Sequence, residues 1–288
     1  MNNFLRKHKA HFNLEKFVSQ ALQEDLGSGD HTSNSTIPKE KIGKMRLLVK
    51  EEGIIAGVEA ANSIIKVYSA KISIRILVKD GSFVKPGDVV FTLQGPVIEL
   101  LGIERLILNI MQRMSAIASK TFQLQRLCKG TKAKVIDTRK TTPGFRFFEK
   151  WAVLIGGGEN HRFGLYDMIL IKDNHIDFAG GIEKAIVACK SYLKEKKLRL
   201  KIVVEVRSLK DIEVVLLHKG IERILIDNFT PATTKKAVKM IGEKVKTESS
   251  GGITEKNIAA FAKSGVDFIS VGAITHHVKS LDLSLKAY

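Results

Sequence analysis

The segment AKVIDTRKTTPGFR, residues 133–146, contains the change of character that decides the fold. An apolar run of Ala133, Val135 and Ile136 predicts a buried strand, and the run ends directly in charge, hydroxyls and turn residues. Arg139 offers a planar fork suited to a carboxylate or phosphate, and Lys140 offers a compact point charge. Because packing has no use for two adjacent cations at a strand end, the segment indicates the binding of an anionic ligand.

The composition is typical of a soluble globular protein. The chain has 288 residues, of which 44% are hydrophobic and 27% charged, and it contains no apolar run near the roughly 20 residues that span a bilayer. Residues 1–13 are polar and basic, so we expect no secretory signal. Cys128 and Cys189 lie far apart without a CxxC pattern, which is typical of a reducing compartment. These features predict a cytoplasmic protein that does not bind membranes.

The net charge of +17 has two interpretations. Much of the excess is lysine on segments such as 190–201, and a solvated surface explains such runs best. Nucleic-acid binding is the weaker interpretation, because the sequence contains no RNP-like aromatic motif, zinc finger or basic zipper. We therefore expect no nucleic-acid partner.

The first part of the chain has a mixed pattern. A helix is predicted over Leu14–Leu26, and isoleucines at every second position from Ile72, followed by Val78, predict a half-buried strand. Together they favour an antiparallel sheet with helices against it. A long amphipathic helix is predicted over Gly102–Leu127. Arg105 falls on its polar side, where a solvated position is the simplest interpretation.

After Gly130 the pattern changes to alternating strands and helices, which predicts an α/β barrel or an open doubly wound sheet. The predicted strands are Lys134–Ile136, Met168–Ile171, Ile202–Val206, Ile224–Ile226, Phe268–Val271 and, more weakly, Lys246–Glu248. The predicted helices are Ile182–Leu193, Leu209–Lys219 and Pro231–Ile241.

Polar or charged residues follow every one of these strands. In a barrel those ends share one face, where active sites are built from the loops that follow the strands. The residues are Asp137, Arg139 and Lys140; Lys172, Asp173 and Asn174; Glu205 and Arg207; Asp227 and Asn228; Ser250, Gly251 and Gly252; and Gly272. We expect a functional site on this face.

The candidate site separates by charge. Carboxylates or phosphates could be held by a cationic set of Arg139, Lys140, His161, Arg162 and Lys172. Glu205 and Asp227 are either partners in salt bridges or ligands for a hard cation such as Mg²⁺, which is usually held by one or two carboxylates and substrate phosphates.

Glycine-rich turns offer a phosphate site. Ser250–Gly252 is interpreted as a loop that opens a helix at Ile253–Thr254, whose N-terminus would add positive potential. A turn without phosphate is an equally good interpretation of this loop taken alone. Gly156–Gly158 matches neither a Rossmann fingerprint nor a P-loop. His31, His276 and His277 lack the spacing of metal ligands and are expected to be structural or surface residues.

The motifs, taken together and in order, resemble the quinolinate phosphoribosyltransferase family over nearly the whole chain. The matching segments are Glu24–Gly27, Gly29–Asp30, Glu104–Arg105, Leu108–Asn109, Asp137–Gly144, Glu159–Arg162, Leu170–His175, Glu205–Val206, Asp227–Phe229, Ser250–Gly252 and Ser270–Ala273. The resemblance implies an α/β protein of the type II phosphoribosyltransferase kind. It implies an N-terminal α/β sandwich with an antiparallel sheet over residues 1–115, with the tail 276–288 packing back on it, and an open α/β barrel over residues 116–275.

The resemblance also implies an activity. Quinolinate would react with phosphoribosyl pyrophosphate, with Mg²⁺ required, to give nicotinate mononucleotide, pyrophosphate and CO₂ in NAD synthesis. A homodimer is implied whose active sites are shared between subunits, with Arg105 supplied by the other subunit.

Particular roles follow from the same resemblance. Arg139, His161, Arg162 and Lys172 would bind quinolinate, and Thr138 would shape the loop. Lys140 would pair with pyrophosphate, and Glu205 and Asp227 would hold Mg²⁺ and the ribose. The catalytic residues would be Glu205, Asp227, Lys140 and Lys172. The 5′-phosphate would be taken by Ser250, Gly251, Gly252, Ser270, Val271 and Gly272.

Three alternatives stay open. A phosphoribosyltransferase of the same fold could act on nicotinate or another acidic heterocycle, because the sequence does not define a second carboxylate site. A molybdenum-transport-associated homologue is a second alternative. A non-catalytic nucleic-acid-binding protein, suggested by charge alone, is the third.

Overall fold

The structure is a computed structural model that describes residue 4 and residues 11–288. Its elements, in chain order, are α1 (Leu14–Leu26), α2 (His31–Thr36), β1 (Ile42–Val49), β2 (Gly53–Ile54), α3 (Val58–Tyr68), β3 (Ser73–Ile76), β4 (Phe83–Val84), β5 (Val89–Pro96), α4 (Val97–Leu127), β6 (Lys134–Ile136), α5 (Arg146–Ile155), β7 (Ile169–Ile171), α6 (Asp173–Ala179), α7 (Ile182–Glu195), β8 (Ile202–Val206), α8 (Leu209–Leu216), β9 (Arg223–Asp227), α9 (Pro231–Ile241), β10 (Lys246–Ser250), α10 (Ile258–Lys263), β11 (Phe268–Ser270), α11 (Ala273–His276) and β12 (Leu283–Ala287).

The chain forms two compact units that interleave along the sequence. The first unit consists of Met1–Phe122, Thr142–Gly157 and His277–Tyr288, and the second of Gln123–Thr141 and Gly158–His276. The predicted division into residues 1–115 and 116–275 stays a prediction. The DTRKTTPGFR segment itself begins in the second unit and ends in the first.

The first unit contains an antiparallel four-stranded sheet in the order β12-β1-β5-β3. Met45, Leu47 and Val49 of β1 are buried at alternating positions, as a strand with one face on the core requires. Strand β12 lies at the sheet edge, where Leu285 pairs with Leu47. The expected antiparallel sheet with helices is therefore present.

Element boundaries in the first unit agree with prediction except at two places. The helix over Leu14–Leu26 is confirmed. The predicted strand from Ile72 is shorter, because only Ser73–Ile76 pairs with β5. The long helix begins at Val97, five residues before the predicted start at Gly102. Gly102 therefore lies inside the helix, at a place where a Cβ would come within 2.9 Å of the Tyr68 hydroxyl oxygen.

The second unit contains a parallel six-stranded sheet in the order β6-β11-β10-β9-β8-β7. Strands β6 and β7 are its edges and are not hydrogen-bonded to each other in the described chain, so the sheet is open. One face packs on the helices through residues such as Val204, Ile224 and Ile226. The prediction is an N-terminal α/β sandwich with an antiparallel sheet and a C-terminal open α/β barrel. It is confirmed as a mixed α/β fold with an antiparallel N-terminal sheet and a C-terminal parallel sheet with helices.

The pairing register of the strands shows which side chains are neighbours on the inward face of this sheet. Glu205 pairs with Leu225, and Leu225 pairs with Glu248, so these three residues form a row across β8, β9 and β10. Ser250 pairs with Asp227 two positions further along the strands. Strand β10 reaches Ser250, beyond the predicted end at Glu248, because backbone pairing continues where the apolar pattern does not.

Candidate functional site

A pocket of about 760 Å³ lies within the second unit at the carboxyl ends of the parallel strands. Its lining contains every predicted site residue except Arg105. These residues are Thr138, Arg139, Lys140, His161, Arg162, Lys172, Glu205, Asp227, Ser250, Gly251, Gly252, Ser270, Val271 and Gly272. The structure thus brings together residues from six strand ends, as the barrel-face rule predicts; their individual roles stay predictions.

Arg162 is the one buried residue among the arginines and lysines of the cationic set. Only 6% of Arg162 is exposed, whereas Arg139, Lys140 and Lys172 are exposed. Its Nη1 donates to the Met168 carbonyl at 3.1 Å. Burial lowers the pKa of Arg162, and the charge of Arg139 lowers it further. The two guanidinium groups therefore repel each other, and an anion between them would relieve that repulsion.

Asp137 holds the segment that carries His161 and Arg162. Its carboxylate is fully buried and accepts hydrogen bonds from Asn160 Nδ2 at 2.7 Å and from the His161 backbone N–H at 2.8 Å. The backbone of Glu159 also bridges to Ile136 of β6. Asp137 consequently ties residues 159–161 to the end of β6.

His161 differs from the other members of the cationic set. Its Nδ1 accepts a hydrogen bond from the Arg162 backbone N–H at 2.6 Å. A nitrogen that accepts a hydrogen bond carries no proton, so in this arrangement the imidazole is neutral and its proton is on Nε2. That Nε2 lies 3.6 Å from Glu248 Oε2. His161 lines the pocket as a neutral ring rather than as the cation that the sequence grouping supposed.

Glu205 is the more buried of the two predicted metal ligands. It is 6% exposed, and its Oε1 accepts the backbone N–H of Asp173 at 3.3 Å. Burial raises the pKa of Glu205, the charges of Asp227 and Asp173 raise it further, and Lys172 opposes them. The negative charges of Asp227 and Asp173 are therefore close enough to destabilise the ionised form of Glu205.

Asp227 is oriented by its neighbour Asn228. Asn228 adopts the left-handed conformation with φ 57°, and its Nδ2 donates to Asp227 Oδ2 at 2.6 Å. In the part of the chain that the structure describes, no three His, Cys, Asp or Glu side chains are arranged to hold a metal ion. A metal at Glu205 and Asp227 would therefore need oxygen ligands from a substrate as well.

The loop Ser250–Gly252 has the backbone that the phosphate hypothesis needs, but without the expected helix. Gly251 and Gly252 have φ of 91° and 60°, and a Cβ on Gly251 would overlap the side chain of Asn228. The prediction of a helix opening at Ile253–Thr254 is wrong, because turns continue until α10 begins at Ile258. Polar side chains make those turns; Thr254 N–H donates to Asn257 Oδ1.

Among the residues that line the pocket, His276, Asn228 and Glu248 have no site role in the sequence-based prediction. His276 was expected to be structural or superficial, yet it lines the pocket and its Nε2 lies close over Gly272. Asn228 belongs to the predicted strand-end residues, but the sequence alone assigns it no role. Glu248 was missed because β10 reads KTESS and has no apolar alternation; its position two residues before Ser250 was the available signal.

Arg105 lies elsewhere. It is exposed on α4 in the first unit and is not among the described residues that line the pocket of the second unit. Among the described residues, no helix is both long enough and apolar enough to cross a bilayer.

Comparison with protein families gives two matches that together cover most of the chain. Residues 30–115 match the quinolinate phosphoribosyl transferase N-terminal domain, and residues 117–286 match the quinolinate phosphoribosyl transferase C-terminal domain.

Individual relatives are similar over almost the full length. The chloroplastic nicotinate-nucleotide pyrophosphorylase [carboxylating] of Arabidopsis thaliana is 40% identical, with 96% of this chain and 83% of the relative aligned. A probable nicotinate-nucleotide pyrophosphorylase [carboxylating] of Bacillus subtilis is 39% identical over 96% of this chain and 93% of its own length. The solved structure of the Francisella tularensis nicotinate-nucleotide pyrophosphorylase superimposes with a TM-score of 0.88 at 39% identity, covering 96% of both chains.

Proposed function

The chain belongs to the quinolinate phosphoribosyltransferase family, and from that premise we propose how its pocket residues divide the work. The family reaction is also the reaction of this chain: the phosphoribosyl group of phosphoribosyl pyrophosphate is transferred to quinolinate, with release of pyrophosphate and CO₂, to give nicotinate mononucleotide in NAD biosynthesis. The observation that carries the assignment of residues is one pocket that contains Arg139, Arg162 and Lys172 together with Glu205 and Asp227.

Quinolinate is a dianion, and the cationic set supplies its complement. Arg139 and Arg162 bind its carboxylates through charge-assisted hydrogen bonds, and Lys172 adds a point charge. Burial lowers the pKa of Arg162 and the charge of Arg139 lowers it further, which supports this assignment because a bound carboxylate would offset both effects. His161 contributes a neutral ring beside these cations.

The glycosyl transfer step requires positioning rather than a base. The pyridine nitrogen of quinolinate is itself the nucleophile, so it attacks the anomeric carbon while the bond to pyrophosphate breaks. Lys140 pairs with the departing pyrophosphate, and Ser250–Gly252 with Ser270–Gly272 hold the 5′-phosphate through backbone N–H groups and hydroxyls. Glu205 and Asp227 stabilise positive charge that develops at the anomeric carbon. Most of the rate comes from orientation and electrostatics.

Decarboxylation follows from the same arrangement. Once the ring nitrogen is alkylated it carries a positive charge, which stabilises the electron pair left on the adjacent ring carbon when CO₂ departs. That carbon then takes up a proton, supplied in the end by solvent, to give nicotinate mononucleotide. Lys172 and the arginines hold the charged pyridinium ring in place. The buried side chains of Leu170 and Leu225 form apolar walls that exclude water from it.

Glu205 and Asp227 fit a magnesium site in their chemistry. Both are carboxylates at neighbouring strand ends. Burial raises the pKa of Glu205 and the charge of Asp227 raises it further, and a cation between the two would favour the ionised carboxylates. Two carboxylates completed by substrate phosphates are a usual way to hold Mg²⁺. Bound there, Mg²⁺ would neutralise charge on the pyrophosphate.

Arg105 belongs to this proposal through a homodimer. It is exposed and does not line the pocket of its own second unit in the described chain, so we assign it to quinolinate binding in the site of a second copy. Each complete site would then contain the partner's Arg105.

A cytoplasmic location is also part of the proposal. It is supported by Cys128 and Cys189, both free thiols whose pKa burial raises, which suits a reducing compartment. Fractionation of cells that express the chain would test the location.

The deciding experiment is an incubation of the purified chain with quinolinate, phosphoribosyl pyrophosphate and Mg²⁺, followed by chromatography for nicotinate mononucleotide. A parallel reaction with nicotinate tests the one-carboxylate alternative, and omission of Mg²⁺ with added chelator tests the metal. Product from quinolinate and not from nicotinate is expected. Product from nicotinate alone would overturn the substrate assignment.

A further inference from the structure

The interior of the second unit contains a carboxylate that the proposed chemistry does not use. Glu248 is fully buried in the middle of β10 and lines the pocket. Arg223 Nη1 donates to its Oε2 at 2.7 Å, and His161 Nε2 lies 3.6 Å from the same oxygen. The three side chains form a row from Arg223 through Glu248 to His161.

Arg223 anchors the carboxylate at one end of this row. It is 8% exposed, and its guanidinium lies over the Phe268 ring with 3.8 Å to the centroid. The stacked, planar group has little freedom, so it holds Glu248 in place. Burying a carboxylate is costly unless it is paired, and the second oxygen, Oε1, has no hydrogen-bond partner among residue 4 and residues 11–288. A buried carboxylate that lines a pocket with only one oxygen hydrogen-bonded indicates a role in that pocket.

His161 forms the other end of the row. Its Nδ1 is taken by the Arg162 backbone N–H, so the ring proton is on Nε2, which is the nitrogen that faces Glu248. A negative carboxylate on that side favours the same proton position. Both contacts therefore select one tautomer and one ring orientation.

The position of Arg162 depends on the orientation of the His161 ring. The imidazole holds its backbone N–H, while Met168 holds its guanidinium. We propose that Glu248, anchored by Arg223, is a positioning residue that keeps His161 as the neutral Nε2–H tautomer and thereby sets Arg162 for its anionic substrate. The role of Arg162 in binding quinolinate rests on the proposed function. The Nε2–H tautomer of His161 and the effect of Glu248 on it are independent of that function.

The wild-type protein gives the first test. Long-range ¹H–¹⁵N correlation spectra of ligand-free protein labelled in its histidine rings report which ring nitrogen carries the proton, and a His161→Gln variant assigns the signals. We expect His161 as a single Nε2–H tautomer at neutral pH. A protonated Nδ1, or a doubly protonated ring, overturns the proposal.

Two variants give the second test. Glu248→Gln keeps the shape but removes the charge. The double variant Arg223→Met with Glu248→Leu removes both partners, so no unpaired buried charge remains and the fold is retained. Glu222→Gln is the matched control, because Glu222 is paired with Lys201 at the surface of the same unit.

We expect the KM for quinolinate to rise about tenfold in both variants, the loss of one charge-assisted hydrogen bond. The KM for phosphoribosyl pyrophosphate and the behaviour of Glu222→Gln should match the wild type. In the double variant the His161 spectrum should lose its single tautomer. An unchanged KM for quinolinate in a folded double variant overturns the proposal. If the double variant does not fold, Glu248→Gln decides, and an unchanged KM for quinolinate in that folded variant overturns the proposal. If the wild type does not convert quinolinate, the proposed function fails while the spectrum tests the positioning of His161 separately.

Discussion

The hydroxyl of Thr275 donates to the backbone carbonyl of Lys140 at 2.7 Å. Thr275 is fully buried, and Lys140 is also held through its own N–H, which donates to Thr138 Oγ1 at 3.0 Å. The exposed lysine side chain therefore extends from a main chain that is held on both sides. The loop after β6 is ordered by contacts with residues far away in sequence as well as by its own hydroxyls.

Thr275→Val should loosen this loop. The valine has the shape of threonine without the donor, so the free energy of unfolding should fall by about 1 kcal/mol, and the KM for phosphoribosyl pyrophosphate should rise as Lys140 loses its orientation. Chemical denaturation and steady-state kinetics measure the two effects. Thr275→Ser, which keeps the hydroxyl, should behave like the wild type; equal defects in both variants would show that the methyl group matters instead.

Arg162→Ala and Arg139→Ala should weaken quinolinate binding. Each variant removes charge-assisted hydrogen bonds, so the KM for quinolinate should rise about 10- to 150-fold, with the fold intact by circular dichroism. Arg199→Ala is the control, because Arg199 is exposed in the same unit and does not line the pocket. Wild-type kinetics in either pocket variant would remove that arginine from the substrate site.

Gly251→Ala should be far more damaging than its backbone alone explains. Its φ of 91° costs an alanine about 1–2 kcal/mol, and the added Cβ would also overlap Asn228, which orients Asp227. Gly220→Ala is the matched control, with φ 81° and no described atom within 4 Å of its Cβ. We expect Gly220→Ala to lose stability only, and Gly251→Ala to lose stability and phosphoribosyl pyrophosphate binding, as calorimetry would measure.

Acid should weaken magnesium-dependent substrate binding earlier than an ordinary glutamate would allow. The pKa of Glu205 is raised mainly by burial, so as pH falls Glu205 takes up a proton before an exposed glutamate does. Affinity for phosphoribosyl pyrophosphate with Mg²⁺ should be lost as pH falls through that raised pKa and stay constant above it. Titration calorimetry across pH, with Glu205→Gln as the flat control, tests this.

The raised pKa of Glu205 affects the stability of the fold in the opposite direction: acid weakens ligand binding but stabilises the folded state. Because the folded state binds the proton more tightly than the unfolded state, the contribution of Glu205 to the free energy of unfolding increases as pH falls through its folded pKa and is lost above it. Denaturation of wild type and Glu205→Gln over that range should differ in slope; parallel curves would contradict the raised pKa.

Mixed dimers should recover activity if the sites are shared. Chains with Arg105→Ala and chains with Lys172→Ala should each be inactive, whereas refolding them together should restore about a quarter of wild-type activity, since half of the random dimers would contain one complete site. Size-exclusion chromatography with differently tagged chains shows whether mixed dimers form. Mixed dimers without activity would refute the assignment of Arg105 to a second copy.

The parallel sheet and its polar strand ends were predictable because apolar strands and charged ends both leave a pattern in one chain. The Lys172 and Asp227 positions follow directly from that pattern. Apolar periodicity does not predict the role of Glu248, because a strand that reads KTESS shows none and its partner Arg223 starts a different strand; its position two residues before Ser250 is the one signal in the sequence. The charge state of His161 also depends on a hydrogen bond to the next backbone N–H, which spacing alone does not reveal.

The late position of β12 has a consequence for the order in which the chain is made. Strand β1 pairs with β12, which lies about 240 residues further along. At the usual pace of translation, that separation leaves one edge of β1 without its neighbour for roughly 10 to 50 seconds. During that interval the exposed backbone can pair with a strand of another nascent chain. Crowded expression should therefore favour misassembly at this edge, and a lower level of expression with chaperones present should improve the yield of folded protein.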